Sequence, residues 1–131
     1  MATVLYDSDC GFCRWAAAKV VAWDRRGRLR MAPLQDRATS DRLLENMPEE
    51  VRMGSWHLVE GGYVYSGGEA FSPLLRLLPG GGLPARIAAA LQPLTNRAYR
   101  FVASRRTLFG RFVTDGAKRR ADARLARRAP S

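Results

Sequence analysis

The chain has 131 residues, 47% of them hydrophobic, and residues 97–131 account for most of its formal net charge of +10 with 11 basic and 2 acidic side chains. The length fits one domain with its own core, and two cysteines are too few for a secreted disulfide scaffold. Charges or prolines interrupt every apolar stretch before the length of about 18 residues that a membrane span requires. No secretory signal is predicted, because Met1–Tyr6 lacks a basic region and Asp7 ends the apolar run, so a reducing, cytoplasmic location is expected.

The first predicted elements are a strand, a helix and a second strand. Ala2–Tyr6 is apolar and predicts a buried strand. Apolar residues then recur at helical spacing from Gly11 to about Arg25, with Gly27 as the expected C-cap. Leu29–Leu34 predicts a second short strand, which a right-handed crossover would place parallel to the first.

The middle of the chain predicts a short helix, a hairpin and a longer helix. Thr39 and Ser40 are the expected caps of the short helix. Gly61 and Gly62 separate two strand-like segments, a pattern typical of a two-residue hairpin turn. The expected elements are a helix from Thr39 to Asn46, a loop starting at Pro48, strands Ser55–Glu60 and Tyr63–Ser66, and a helix Glu69–Leu78.

Beyond Pro79 and the glycines that follow it, the pattern becomes helical again. Ala85–Leu91 and Leu94–Phe112 predict amphipathic helices that form an added layer. From Asp115 onward large apolar residues are few, so Gly116–Ser131 predicts a solvated helix or a disordered tail.

A CxxC motif, Cys10, Gly11, Phe12 and Cys13, lies where the first strand meets the helix. Unpaired backbone N–H groups and the helix dipole would stabilise a thiolate at Cys10, and cysteines at i and i+3 can close a disulfide. A reversible redox pair is one interpretation; packed core thiols, a structural disulfide and half of a zinc site remain open. A zinc site would have to recruit a carboxylate or a second chain, because His57 is the only further soft ligand.

The motif resembles a known family signature. Asp7, Cys10 and Cys13 match the Asp-x-x-Cys-x-x-Cys pattern of the DCC family of thiol-disulfide oxidoreductases. The resemblance covers roughly residues 3–112. Its further matching segments are Leu34–Gln35, Trp56–Leu58, Val64–Phe71 and Ala98–Arg100.

The order of the predicted elements is that of a thioredoxin-like α/β fold with a mixed four-stranded sheet. The expected organisation is a redox domain over residues 1–79, a helical extension over 80–114 packed on the same domain, and a basic, flexible tail over 115–131. Thioredoxins place a cis-proline before the third strand, where this chain has Gly54–His57, so its substrate groove is expected to differ.

The resemblance implies a thiol-disulfide oxidoreductase that needs no cofactor or metal besides its cysteine pair. Cys10 is the expected nucleophile, because it lies nearer the helix N-terminus, and Cys13 the resolving cysteine. Asp7 is the candidate proton acceptor for Cys13, or alternatively a turn or cap residue. The expected partner is a protein or small-molecule disulfide or dithiol.

Several residues are expected to flank the site. Asp9 is the expected N-cap of the cysteine helix. His57 could face the cysteines from the third strand or simply be hydrogen-bonded there. Gly11 and Phe12 lie between the cysteines, and Trp56 is a core or groove residue.

The basic C-terminal region supports a different class of function, a non-catalytic binding module whose cysteines are incidental. Its arginines would contact nucleic acid or an anionic membrane surface. In the second case the protein would be peripheral to the membrane. No nucleic-acid-binding motif accompanies them, which favours a solvated surface. The candidate contact residues are Arg119, Arg120, Arg124, Arg127 and Arg128.

Overall fold

The fold is built on a four-stranded mixed sheet, seen in a computed structural model that describes residues 2–45, 47–111 and 113–128. The strand order is β2-β1-β3-β4, with β1 parallel to β2 and antiparallel to β3, and β3 antiparallel to β4. This is the arrangement of a thioredoxin-like fold, as the sequence predicts. The strands are β1 (Ala2–Tyr6), β2 (Leu29–Pro33), β3 (His57–Glu60) and β4 (Tyr63–Ser66).

The helices cover both faces of the sheet. A 3-10 turn over Gly67–Ala70 precedes α4. The helices are α1 (Gly11–Trp23), α2 (Arg37–Leu43), α3 (Glu49–Gly54), α4 (Phe71–Leu77), α5 (Gly82–Ala90), α6 (Gln92–Ser104), α7 (Arg106–Arg111) and α8 (Asp115–Ala126). Among the described residues, no helix combines the length and apolar composition needed to cross a bilayer.

Alternation along β1 divides the core into two layers. Val4 belongs to the layer beneath α1, α4 and α8, together with Met31, its neighbour on β2, and Leu58 on β3. Leu5 points to the opposite layer, where it packs with Ala32 and the residues around α2 and α3. The cysteine helix and the α2–α3 region therefore lie on different faces of the sheet.

The predicted bounds of the first two helices need correction. The C-cap of α1 is Asp24, not Gly27, because the buried Asp24 carboxylate accepts the backbone N–H groups of Arg28 and Leu29 and ends the helix there. The N-cap position of α2 is Asp36 rather than Thr39 or Ser40, both of which lie buried within the helix.

Three further helices differ in their bounds from the prediction. Pro48 starts helix α3 rather than a loop, with Glu49 and Glu50 in its first turn, where the helix dipole favours negative charge. The helix predicted over Glu69–Leu78 starts late, at Phe71 after a 3-10 turn, and has Pro73 in its first turn, as the position of the proline predicts. The stretch predicted from Leu94 begins two residues earlier as α6 and is interrupted at Arg105 before α7. The predicted helix ends at Asn46 and Phe112, and residues 129–131 of the tail, lie outside the described residues.

Residues 115–126, expected to be a solvated helix or a flexible tail, form helix α8, which packs on the rest of the fold. Ala121 and Leu125 are buried in the layer beneath α1. The Thr114 hydroxyl caps α8 by accepting the N–H of Ala117 at 3.1 Å. Arg14 of α1 binds Asp122 at 3.1 Å, so α8 is attached to the cysteine helix by both apolar and charged contacts.

Candidate active site

The two cysteines share the first turn of α1. Cys10 occupies the N-cap position with extended backbone, and its Sγ accepts the backbone N–H of Cys13 at 3.2 Å. Both side chains are half-buried. An N-cap acceptor normally comes from Ser, Thr, Asp or Asn, so a sulfur here places Cys10 Sγ where the helix end favours a negative charge.

Gln35, directly after β2, holds the loop that precedes Cys10. Its Oε1 accepts both the N–H and the hydroxyl of Ser8, at 3.0 and 2.8 Å. Its Nε2 donates to Asp7 Oδ1 at 2.7 Å and to Asp9 Oδ2 at 3.3 Å. Sequence reasoning noted Gln35 only as a matching position; its role as a clamp depends on β1 and β2 being neighbours.

The predicted N-cap role of Asp9 is wrong, because Cys10 itself takes that position. Asp9 is exposed, and its N–H donates to Asp7 Oδ1 at 3.0 Å. Asp7 therefore has a turn-stabilising role, and it also lines the same cavity as Cys13. The structure brings Asp7 and both cysteines into one site.

An apolar cavity of about 620 Å³ adjoins the site. Such a volume is in the range of small-ligand and peptide side-chain sites. Its wall includes Asp7 and Cys13, and the rest consists mostly of aliphatic side chains and aromatic rings. The aromatic members are Tyr6, Phe12, Trp56, Phe71 and Tyr99.

Aromatic contacts link the CxxC motif to the helical extension. Phe12 lies between Trp15 and Phe109 of α7, with ring centroids 6.0 and 5.5 Å away. Trp56 packs edge-on against Phe71 at 5.2 Å, and both rings line the cavity. Phe12 and Trp56 thus line the same cavity as Cys13, and their part in the site stays a prediction.

His57 does not face the cysteines. It pairs with Leu5 across β1 and β3, which places it on the α3 side of the sheet. Its Nε2 lies 2.8 Å from the Arg52 carbonyl and its Nδ1 2.6 Å from the Ser66 hydroxyl. A carbonyl only accepts, so Nε2 carries the proton. Burial, opposed by the hydrogen bond to Arg52 and assisted by the Arg52 charge, lowers the pKa of His57 below its ordinary value.

The five arginines of the C-terminal region fall into two groups. The first group is exposed on or just after α8 and consists of Arg119, Arg120, Arg124 and Arg127. Arg128 is instead engaged within the fold, since its guanidinium binds the Asp24 carboxylate at 2.7 Å. Arg128 is therefore a structural residue of the α1–β2 turn.

Lys118 is a residue that the sequence reasoning missed. A Cβ atom at Gly11 would lie 2.6 Å from Cε and 3.1 Å from Nζ of Lys118. The lysine side chain thus packs on the glycine between the cysteines. No motif marks this residue, because the contact joins positions more than a hundred residues apart.

The cysteines are the residues best suited to bind a soft metal ion. In the described ranges, no three His, Cys, Asp or Glu side chains form a cluster that would hold a metal ion.

A family described as DCC1-like thiol-disulfide oxidoreductase matches residues 4–112, most of the chain. The chain belongs to this family. The DCC1-like match contains β1 from Val4 onward, the other three strands, the CxxC motif, Asp7 and Gln35, and supports a function of the thiol-disulfide oxidoreductase type. Neither the curated proteins nor the solved structures contain a match. Helix α8, with Lys118, follows the part of the chain covered by the DCC1-like match.

Proposed function

We propose that the chain is a thiol-disulfide oxidoreductase of the protein-disulfide reductase type, with Cys10 and Cys13 as its dithiol. The hydrogen bond from the Cys13 N–H to Cys10 Sγ carries this proposal. A sulfur at a helix N-terminus is in the position that favours the thiolate, which is the nucleophilic form of cysteine. Membership of the DCC1-like family supports the same general chemistry.

The reaction proceeds in two exchanges. The Cys10 thiolate attacks one sulfur of a substrate disulfide, forming a Cys10–substrate disulfide and releasing the other substrate sulfur as a thiolate. Cys13 then loses its proton and attacks Cys10 Sγ, which closes the Cys10–Cys13 disulfide and releases the second substrate sulfur. The substrate gains two electrons, the protein dithiol loses them, and an external thiol or dithiol restores the reduced protein.

Asp7 is the proposed proton acceptor for Cys13. Both side chains line the same cavity, which supports proton transfer directly or through one water molecule. The hydrogen bond from Gln35 Nε2 holds the Asp7 carboxylate at the end of β1.

The cavity beside Cys13 supports a substrate that presents apolar groups next to its disulfide. Aromatic rings and aliphatic side chains form most of its wall, so a purely polar disulfide would gain little from entering it. A cysteine within an apolar peptide segment fits this description.

The experiment that tests the proposal is a redox titration of metal-free protein in graded thiol buffers, with the alkylated thiols counted by intact mass. We expect a reversible two-electron transition between about −270 and −120 mV, the range of thioredoxin-fold dithiols. Cys10→Ser should abolish reduction of a model disulfide, whereas Cys13→Ser should trap a mixed disulfide on Cys10. A pair that never closes, or a Cys10→Ser variant with normal turnover, would contradict the proposal.

The second candidate function is peripheral binding to an anionic membrane surface. It is favoured by α6, none of whose thirteen residues is buried. Leu94 and Phe101 lie two turns apart on one face, 59% and 52% exposed, with Arg97 between them on the same stripe. An amphipathic helix with arginine beside apolar residues is typical of interfacial binding.

Vesicle sedimentation tests this second function. We expect retention on phosphatidylglycerol vesicles but not on phosphatidylcholine vesicles, with loss of binding in Phe101→Glu. The matched control is Val51→Glu, which places the same charge at a residue 52% exposed on α3. Equal retention of both variants, or retention on neutral vesicles, would argue against a lipid-binding face on α6.

A further inference from the structure

We infer that Lys118 is a positioning residue of the dithiol: its ammonium group lies over the CxxC turn, stabilises the thiolate form, and makes the pair more oxidising. This inference rests on the proposed function, because it assigns a regulator of potential to the same cysteines. It concerns a residue beyond the part of the chain that the DCC1-like family covers.

The contact at Gly11 is the first observation. A side chain at position 11 would collide with the lysine, since its Cβ would lie 2.6 Å from Lys118 Cε and 3.1 Å from Nζ. Only glycine at position 11 leaves room for the Lys118 side chain to pack where it does. Gly11 is next to Cys10 in sequence, which brings the ammonium group close to the helix end where Cys10 Sγ lies.

The fixed position of α8 is the second observation. Thr114 caps the helix one turn before Lys118, and Ala121 is buried one turn after it. The Arg14–Asp122 ion pair attaches α8 to α1 at 3.1 Å. Lys118 is therefore carried by an ordered helix packed on the cysteine helix, and not by a mobile tail.

The third observation is the charge balance around the cysteines. Asp7 and Asp9 place two carboxylates in the turn before Cys10, where they oppose a thiolate. Arg14 lies on α1 but is bound to Asp122, and the Arg128 guanidinium is bound to Asp24. Within the described part of the chain, neither ion pair of the C-terminal segment uses Lys118, so its charge acts on the CxxC turn.

A cation that stabilises the thiolate favours the reduced dithiol over the disulfide, and this raises the reduction potential. Salt partly screens a half-buried charge, so the effect of the Lys118 ammonium group should weaken as ionic strength rises. Two readouts follow: the potential of the couple, and the alkylation rate of Cys10 at a fixed pH.

The test compares Lys118→Met, Lys118→Arg and Arg120→Met in the full chain. Lys118→Met keeps an unbranched side chain over Gly11 and removes only the charge. We expect it to shift the thiol-disulfide equilibrium toward the disulfide by about tenfold, which corresponds to about −30 mV. Cys10 alkylation should slow severalfold, and the difference from the wild type should shrink in high salt. Lys118→Arg should restore most of the effect, and Arg120→Met, which removes an exposed charge from the same helix, should change neither readout.

Gly11→Ala gives an independent test, useful also if Lys118→Met folds poorly. Its Cβ would displace the lysine and should shift the equilibrium in the same direction. In the double variant the two effects should not add, because both act by removing the same ammonium group.

A Lys118→Met potential equal to that of the wild type would overturn the inference, as would an equal shift in Arg120→Met or full additivity with Gly11→Ala. Failure of the proposed function looks different: the wild-type pair would show no reversible two-electron transition, and the inference would fall with it.

Discussion

Asp24 and Arg128, 104 positions apart, form an ion pair at 2.7 Å in which the carboxylate is fully buried. The Asp24 carboxylate also accepts the backbone N–H groups of Arg28 and Leu29. Burial alone would raise the pKa of Asp24, but these hydrogen bonds and the Arg128 guanidinium outweigh it and hold the pKa below its ordinary value. One carboxylate thus ends α1, shapes the turn into β2 and retains the C-terminal segment.

Asp24→Asn should lower the free energy of unfolding by about 3 kcal/mol at pH 7, because it leaves the partly buried Arg128 charge unpaired. A lowered carboxyl pKa contributes stability that is present above the unfolded-state value near pH 4 and is lost as pH falls through the folded-state value. The difference between the variant and the wild type should therefore narrow in acid. Urea titrations at pH 7 and near pH 3 measure it.

The control for this prediction is the exposed ion pair between Arg37 and Glu49. Glu49→Gln should change the urea midpoint little at either pH, since exposed pairs contribute little to stability. An Asp24→Asn midpoint no lower than that of Glu49→Gln would show that the buried carboxylate is not an anchor.

Stability should also decline in mild acid because of His57, the sole histidine of the chain. The folded state holds it neutral with a lowered pKa, so below about pH 6.5 the unfolded state binds the additional proton and is favoured. His57→Gln should flatten the stability profile between pH 7.5 and 5.5. Because His57 lies on the sheet face opposite α1, its substitution should leave the potential of the cysteine pair unchanged. If the stability of His57→Gln still fell over this pH range, or if the potential of its cysteine pair were shifted, the role and position given to His57 would be contradicted.

Asp7→Asn should slow the second exchange by about 10- to 100-fold, because it removes the proton acceptor for Cys13. The mixed disulfide on Cys10 should accumulate transiently, and acid quenching followed by intact mass measures it. Asp9→Asn is the matched control, since it removes a carboxylate from the same turn without reaching the cavity. Equal rates in both variants would assign Asp7 to the turn alone.

Gln35→Ala should release Ser8, Asp7 and Asp9 together, because the side-chain amide of Gln35 forms hydrogen bonds with all three residues. The loss of partly buried hydrogen bonds should cost about 1–2 kcal/mol of stability. Reduction of a model disulfide should slow as well, since the Cys10 loop loses its support. Chemical denaturation and turnover, measured on the same sample, check both effects; normal turnover with lowered stability would make Gln35 purely structural.

Local patterns predicted much of this fold. β1, α1 and the β3–β4 hairpin follow from apolar periodicity and from Gly61 and Gly62, whose φ values of 57° and 85° supply the turn. The family signature at Asp7, Cys10 and Cys13 likewise predicted the DCC1-like family. These features depend on residues that are neighbours in sequence.

What the sequence did not reveal depends on distant contacts. Helix α8 has few apolar residues, and it packs because Ala121 and Leu125 meet a surface built from the other end of the chain. The face occupied by His57 depends on the register of β3 against β1, which alternation alone does not determine. Lys118 reaches Gly11 only once α8 has packed on α1.

The C-terminal segment also covers part of an edge strand of the sheet. β2 is at one edge of the sheet, and the backbone N–H of Met31 donates to the carbonyl of Arg128 at 2.8 Å. Unpaired groups on such an edge can recruit a strand from another molecule, so a backbone acceptor supplied from within the chain guards against self-association. Truncation before Arg128 should therefore yield a protein that forms intermolecular sheets more readily, independently of any change at its cysteines.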